Sequence, residues 1–342
     1  MSTLDVFNGS PFSMVSLTAA VNQQPNLPSF LGDLGLFTPR PIRTTAVAIE
    51  DRNGTLALVQ TSARGAPPAE GGSDKRKVRY FETSRLAKAD TIYAYEIQNI
   101  RAFGSETELM QVASEVAYRY EKLRLDIALT WENMRLSAVQ GILTDADGST
   151  IYNWFTEWGV NQPSETDWDL DNASPASGAV RQLCNAANRA AQRALGGLWV
   201  PGQSYLMGLC GDNFFDNLTQ HSEVRATYLA TQQAADLRDN SPAFGMVRYG
   251  GITFVNYRGT DDNSTVAINT DKVKFVPVNV PGLFDVAYAP AEFFAFVNTP
   301  GIPLYAILVM DDDRNAWVRP ELYSYPLFYC TRPAALLRGK RT

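Results

Sequence analysis

A few groups of residues carry the side chains that most often do chemistry. Asp145 and Asp147, with Gly148 behind them, open like a calcium loop. No acidic residue closes it at the twelfth position, so the segment reads as a β-turn. Asp311, Asp312 and Asp313 would gather three carboxylates for a divalent ion. Beside Arg314 and Asn315 they read instead as the hydrated tip of a hairpin. His221 is the one histidine, set between Gln220 and Ser222, and no serine or cysteine stands at a spacing that would make it a general base. A multi-histidine metal site is excluded by counting. The three cysteines, Cys184, Cys210 and Cys330, are far apart and odd in number, without a CxxC pair. A reducing compartment fits them better than a disulfide framework. Cys184 and Cys210 stand among alanines and leucines, where a thiol acts as a small buried apolar group. The sequence has no GxSxG elbow, Walker loop, GxGxxG or HExxH motif. The residues thus predict no catalytic constellation, no metal and no cofactor, with a metal-dependent hydrolase at Asp145 or Asp311 as the enzyme alternative.

Composition agrees that the chain is built for burial and contact. Its 342 residues exceed one small core, and at about 100–200 residues per domain the expectation is two domains, or one with appendages. Hydrophobic residues at 45% and charged residues at 19% predict a folded chain. Phe, Tyr and Trp number 17, 15 and 6, a large flat surface to bury inside or against partners. A net charge of −6 gives no whole-chain footprint for nucleic acid. No leader-like start and no apolar run of about 18 residues occur, so a soluble intracellular protein is expected.

The elements that would position these residues can be read in turn. Residues 1–43 carry Pro11, Pro25, Pro28, Pro39 and Pro41, which forbid a long helix or a central strand. Leu27, Phe30, Leu31, Leu34, Leu36 and Phe37 are too apolar for a free tail, so an extended arm packing on something else is expected, or else an irregular part of the same core. Strand-prone runs 44–49 and 55–61 flank Asn53-Gly54, a hairpin signal. Residues 64–77, with Lys75-Arg76-Lys77, read as a mobile basic tip, and 78–81 as a returning strand. Between Ser105 and Gln140, apolar residues recur every three or four positions. Ser105 and Glu108 form a capping box, and Gly141 is the stop. Tyr152, Trp154, Phe155 and Trp158 form an aromatic cluster, and 161–178 a connector. Helices are expected at 180–195 and from about Asp212, as its cap, to Leu237. Strands are expected at 252–257, 266–268 and 273–278 and in 304–337. The order is α+β.

Four collinear stretches then carry a resemblance over roughly residues 20–338. They are Tyr95-Glu96-Ile97-Gln98-Asn99-Ile100-Arg101-Ala102-Phe103-Gly104; Ile142-Leu143-Thr144-Asp145-Ala146-Asp147-Gly148-Ser149 with Phe155-Thr156-Glu157; Leu209-Cys210-Gly211-Asp212-Asn213-Phe214-Phe215; and Pro326-Leu327-Phe328-Tyr329-Cys330-Thr331-Arg332-Pro333. Together they resemble the lambda-type phage major capsid proteins, the capsid E family.

The resemblance implies the Hong Kong 97-type capsid fold and a virion protein assembled in the bacterial host cytoplasm. Its segments would be an N-terminal arm (1–43), an extended loop (44–95), a peripheral domain (96–204) with a spine helix (105–140), an axial domain (205–310), and C-terminal strands (311–342) returning to the peripheral domain. Its copies would form pentamers and hexamers closing into an icosahedral shell around double-stranded DNA, without specific binding and without membrane. A separate scaffold protein, a portal and a decoration protein are the implied partners. An encapsulin-type nanocompartment is the alternative within the same fold. Candidate inter-subunit contacts are Leu27, Phe30, Leu34 and Phe37 on the arm, Arg64, Lys75, Arg76 and Lys77 on the loop, and Glu121 and Arg124 on the spine helix.

Overall fold

The structure is a computed structural model that describes residues 29–53, 75–98, 108–172, 174–229, 245–259, 266–314 and 316–342. Leu27, Arg64, the run 55–61, the capping residue Ser105 and the end of the third predicted helix lie outside the described residues.

The first described segment corrects the expectation of an arm that packs elsewhere. Phe30–Asp33 makes one helical turn (α1) and Thr38–Pro41 a strand (β1). Leu31 is 1% exposed, and the Phe37 ring lies 5.3 Å from both Phe284 and Phe328. Residues 29–43 therefore serve the chain's own core. Pro39 and Pro41 cannot donate to a ladder, which confines their strand to a sheet edge. There β1 runs parallel to Phe284–Tyr288 (β13) at the edge of a three-stranded sheet, with Pro326–Cys330 (β16) beyond.

Ala46–Asn53 (β2) pairs antiparallel with Lys75–Glu82 (β3), in register from Ala46↔Glu82 to Asn53↔Lys75. The partner is not 55–61, and Lys75-Arg76-Lys77 belongs to the strand and not to a loop tip. These positions are polar and lack the apolar alternation that marks a strand, so the pattern hid them. Leu86–Ala89 (β4), Ile92–Tyr93 (β5) and a short helix, Ala94–Gln98 (α2), follow.

The spine helix (α3) spans Glu108–Val139, 32 residues and about 48 Å. Its stripe of Val116, Tyr120, Leu123, Ile127, Trp131, Met134 and Ala138 is buried throughout. Gly141 ends it with φ +84, a left-handed conformation that glycine adopts without strain, and its amide bonds to Ala138. The stripe faces a sheet of Tyr305–Met310 (β14), Trp317–Ser324 (β15) and β4, with β5 beside β15. The Tyr120 hydroxyl donates to the Ile307 carbonyl at 2.6 Å and pins helix to sheet. Ile142–Thr144 (β6) and Thr150–Asn153 (β7) form a small hairpin, which leads into Trp154–Trp158 (α4).

A six-stranded sheet forms the second body of the core. Its order is Met246–Tyr249 (β10), Ile252–Asn256 (β11), Tyr205–Cys210 (β9), Lys272–Val278 (β12), Leu337–Lys340 (β17) and Glu165–Asp167 (β8). Ala179–Leu195 (α5) and Asp212–Gln220 (α6) bury apolar residues in its cluster, and Ser222–Leu229 (α7) follows. Several expectations are corrected here. The connector 161–178 contains β8. Residues 266–268 are in no strand, although Val266 and Ile268 are buried. Asp212 begins α6 instead of capping it: Gly211 holds the cap position, and Asp212 accepts from Asn256 Nδ2 at 3.0 Å. Sheet membership also cuts across the expected segments. β13 and β14 join the body around the spine helix, while the C-terminal β17 joins β12.

Candidate assembly surface

The residues with reactive side chains are held in structural roles. Asp145 and Asp147 lie in the turn between β6 and β7. There Asp147 accepts from the Ser149 amide at 2.8 Å, and hydrogen bonds from Ser149 hold its carboxyl below the usual range. Asp311 closes the β14–β15 turn by accepting from the amides of Asp313, Arg314 and Ala316 at 3.2–3.3 Å. His221 is buried at the break between α6 and α7, its Nδ1 accepting from the Glu223 amide at 3.3 Å. All three thiols are buried, and burial pushes Cys184 and Cys330 up to about 12, leaving almost no thiolate to act as a nucleophile. Among the described residues, no group of three His, Cys, Asp or Glu could hold a metal, and no helix is long and apolar enough to cross a membrane.

The β2–β3 hairpin has two contrasting faces. Directly opposed pairs alternate sides, as a period of two requires. Val47↔Phe81 and Ile49↔Arg79 point toward the body of the chain, and Ala48↔Tyr80 points away. Phe81, 3% exposed, is surrounded by Tyr152, Trp154 and Trp158 with centroids at 5.3–6.1 Å. This is the aromatic cluster read from the sequence, with Phe155 turned to a neighbouring cluster. The Tyr152 hydroxyl clamps Glu82, accepting from its amide at 3.0 Å and donating to its carbonyl at 3.2 Å. On the other face Tyr80 is 74% exposed and Val78 50%. Tyr80 borders an open groove of about 670 Å³, whose far wall is the three-stranded sheet. The floor carries the Arg40–Asp285 ion pair at 2.8 Å and Tyr329.

Arg119 fastens the strands after the hairpin to the spine helix. It bonds Glu115 at 2.8 Å, Asp90 at 2.9 Å and Glu96 at 3.2 Å, which join α3 to the turn after β4 and to α2. Lys88 adds a pair with Asp126 at 2.6 Å. The sequence reading missed both, because its one signal, the i,i+4 spacing of Glu115 and Arg119, says nothing of the partners on other elements. Beside this hub, Tyr93 and Tyr95 stack at 5.5 Å with their outer faces exposed.

The predicted contact residues do not converge on one surface. Glu121 is exposed on the spine helix, whereas Arg124, one turn on, is 6% exposed and committed to the interior. Phe30 and Leu34 are half-buried against the cluster around Tyr257, and Phe37 is enclosed as described. Lys75, Arg76 and Lys77 lie on β3. Leu27 and Arg64 fall outside the described residues.

Comparison with known proteins matches this arrangement. The model of the family described as phage major capsid protein E matches residues 13–341. A major capsid protein of Salmonella phage Felix O1 is 27% identical, with 96% of each chain covered. One of Pseudomonas phage KPP10 is 28% identical over 88% of this chain and 89% of its own. A crystal structure named as a prophage capsid protein (E. coli CFT073) covers 96% of this chain and 99% of its own, with a TM-score of 0.56 at 12% identity. The long spine helix across a sheet, the β2–β3 hairpin and the six-stranded sheet are thus the Hong Kong 97-type capsid fold. The chain belongs to the phage major capsid protein E family and is a structural capsid protein, not an enzyme.

Proposed function

We propose that copies of this chain form pentamers and hexamers that close into an icosahedral shell around the double-stranded DNA of a tailed phage. Each copy lays its β2–β3 hairpin over a neighbour. The observation that carries this reading is the two-sided hairpin: one face is locked by Phe81, and the other holds Tyr80 and Val78 in solvent, beside a groove no described residue fills. An apolar face kept exposed on an anchored strand marks a surface that gains a partner. Heterologous contacts of this kind close into rings when the rotation permits, and many weak contacts then act together.

On this reading, residues 1–43 reach a neighbour through the part preceding α1, residues 44–95 are the extended loop, and 96–204 carry the spine. The six-stranded sheet forms most of the axial domain within 205–310, with β17 from segment 311–342 and β8 from segment 96–204 added to it. Phe30, Leu34, Lys75, Arg76, Lys77 and Glu121 contribute at the rims of these contacts, with Leu27 and Arg64 on the arm and loop. A separate scaffold protein, a portal and a decoration protein complete the particle, which assembles in the host cytoplasm. Deleting residues 65–74 tests the loop assignment. The expected result is a chain that melts normally yet forms no closed shells by electron microscopy, and normal shells would overturn it.

A further inference from the structure

Helix α5 carries Arg181, Arg189 and Arg193 and no acidic residue along its 17 positions, in a chain whose net charge is −6. Its apolar side is spent on the core through Val180, Cys184, Ala191 and Leu195. The opposite side, with Asn185 and the three arginines, is exposed. At 1.5 Å per residue, Arg189 and Arg193 stand about 6 Å apart along the axis, and Arg181 about 12 Å before Arg189. A groove of about 530 Å³ runs along one flank. Asn185, Asn188 and Gln192 line its helix side, and Gln203, Ser204 and Arg248 its other side, with no carboxylate anywhere on the wall. An acid stands at the helix start, where Glu223 accepts from the amides of Val180 and Arg181 at 3.1 and 3.3 Å. Arg181 lies over the Tyr249 ring at 5.9 Å.

We propose that the exposed face of α5, with Arg248 across the groove, binds the phosphate backbone of duplex DNA without reading its sequence. The inference rests on the shell reading above and assigns this face to the packaged genome. Phosphate oxygens only accept hydrogen bonds. A wall of guanidinium, amide and hydroxyl groups without carboxylates is the complement they need. An acidic partner protein would also meet cations. DNA fits better because Arg189 and Arg193 stand one turn apart on the same side of the helix, and the groove beside them, although Trp199 and Tyr205 also line it, offers amide, hydroxyl and guanidinium donors on both sides. With Arg181 held over the Tyr249 ring, Arg189, Arg193 and Arg248 give three cationic contacts, which make such binding weak and salt-dependent, with log K falling against log salt at a slope of about −2 to −3. Weak contact lets packaged DNA slide.

The test uses the full-length chain, with unassembled material separated from shells by sedimentation. Binding of a 30-base-pair duplex is read by fluorescence anisotropy across a salt series, for wild type and for the triple variant Arg189→Gln, Arg193→Gln, Arg248→Gln. Arg181 is left in place because it lies over the Tyr249 ring. The expected result is a slope near −2 to −3 for wild type, nearly abolished in the variant, with unchanged melting and normal shells by microscopy. Equal slopes would overturn the proposal. So would a wild type that binds polyglutamate and no duplex, which would assign the face to an acidic protein. A variant that binds duplex normally but forms no shells would make the face a contact between copies. Duplex binding by a wild type that forms no shells would leave this assignment standing and remove the shell reading instead.

Discussion

Glu132 lies on the buried side of the spine helix and satisfies three donors at once. One oxygen accepts from the Leu31 amide at 2.9 Å and the Tyr257 hydroxyl at 3.1 Å, and the other faces Arg135 at 3.3 Å. Burial first, and the Glu132 charge second, push the Tyr257 phenol far above its ordinary range, so it remains a donor at any working pH. Glu132→Leu strands a buried amide and a buried hydroxyl and is expected to cost about 2–4 kcal/mol. Glu132→Gln keeps an acceptor and should cost about half as much. Urea midpoints measure both, and an unmoved midpoint for the leucine variant would contradict the role. The cysteines give a pH prediction. Burial raises Cys184 and Cys330 to about 12, so the folded chain holds these protons more tightly than the unfolded chain, whose thiols titrate near 8.5. Their contribution is intact below about pH 8.5 and is lost as pH rises from there to about 12. At pH 8 a thiol reagent should label no cysteine in the native protein and all three after denaturation. The buried character of Cys184 and Cys210 was legible from apolar neighbours in sequence. Glu132 was not, because the two donors it satisfies in the core lie 101 and 125 residues away and no local pattern records them.

At the scale of elements, the hairpin separates stability from assembly. Phe81→Ala empties a pocket of three aromatic rings and is expected to cost about 3–5 kcal/mol, read as a lowered Tm. Tyr80→Ala, on the opposite face, should leave Tm within about a degree or two while reducing the yield of closed shells. A Tyr80 variant that assembles like wild type would show that this face meets no neighbour. The spine helix was legible almost to its ends because its apolar stripe repeats over many turns and Gly141 stops it. The hairpin was legible only at its base, around Val47 and Phe81. Farther out its ladder is polar, and the Asn53-Gly54 signal competed with the pairing that forms. Apolar content misled in the other direction at Val266–Ile268, which is buried without joining a strand. The arm expected to leave the subunit is, from residue 29, laid into it. Composition could not distinguish these outcomes, since proline-broken apolar chain suits a groove of its own as well as a neighbour's.

At the scale of the molecule, the chain places its few cations where they do separate work. Arg119 and Lys88 bind the strands following the hairpin to the spine helix, and Arg189 and Arg193 line the outer side of α5. The remaining surface is acidic on balance, which limits non-specific adhesion to nucleic acid. The spine helix and its sheet form one core and the six-stranded sheet another, and a third cluster, with Leu136 and Val139 of the helix against Met207, Leu209 and Val255 of the sheet, joins the two. The family was legible from four collinear stretches. The assembly surface was not, because exposure on one face of a strand depends on what the other face is packed against. On the proposed reading, the folded chain is a wall unit that completes itself against copies. Electron microscopy of the chain expressed alone and with the proposed scaffold protein is the measurement that decides it. Closed icosahedral shells or capsomer rings are the predicted result, and a monodisperse 37.7 kDa monomer under both conditions would contradict it.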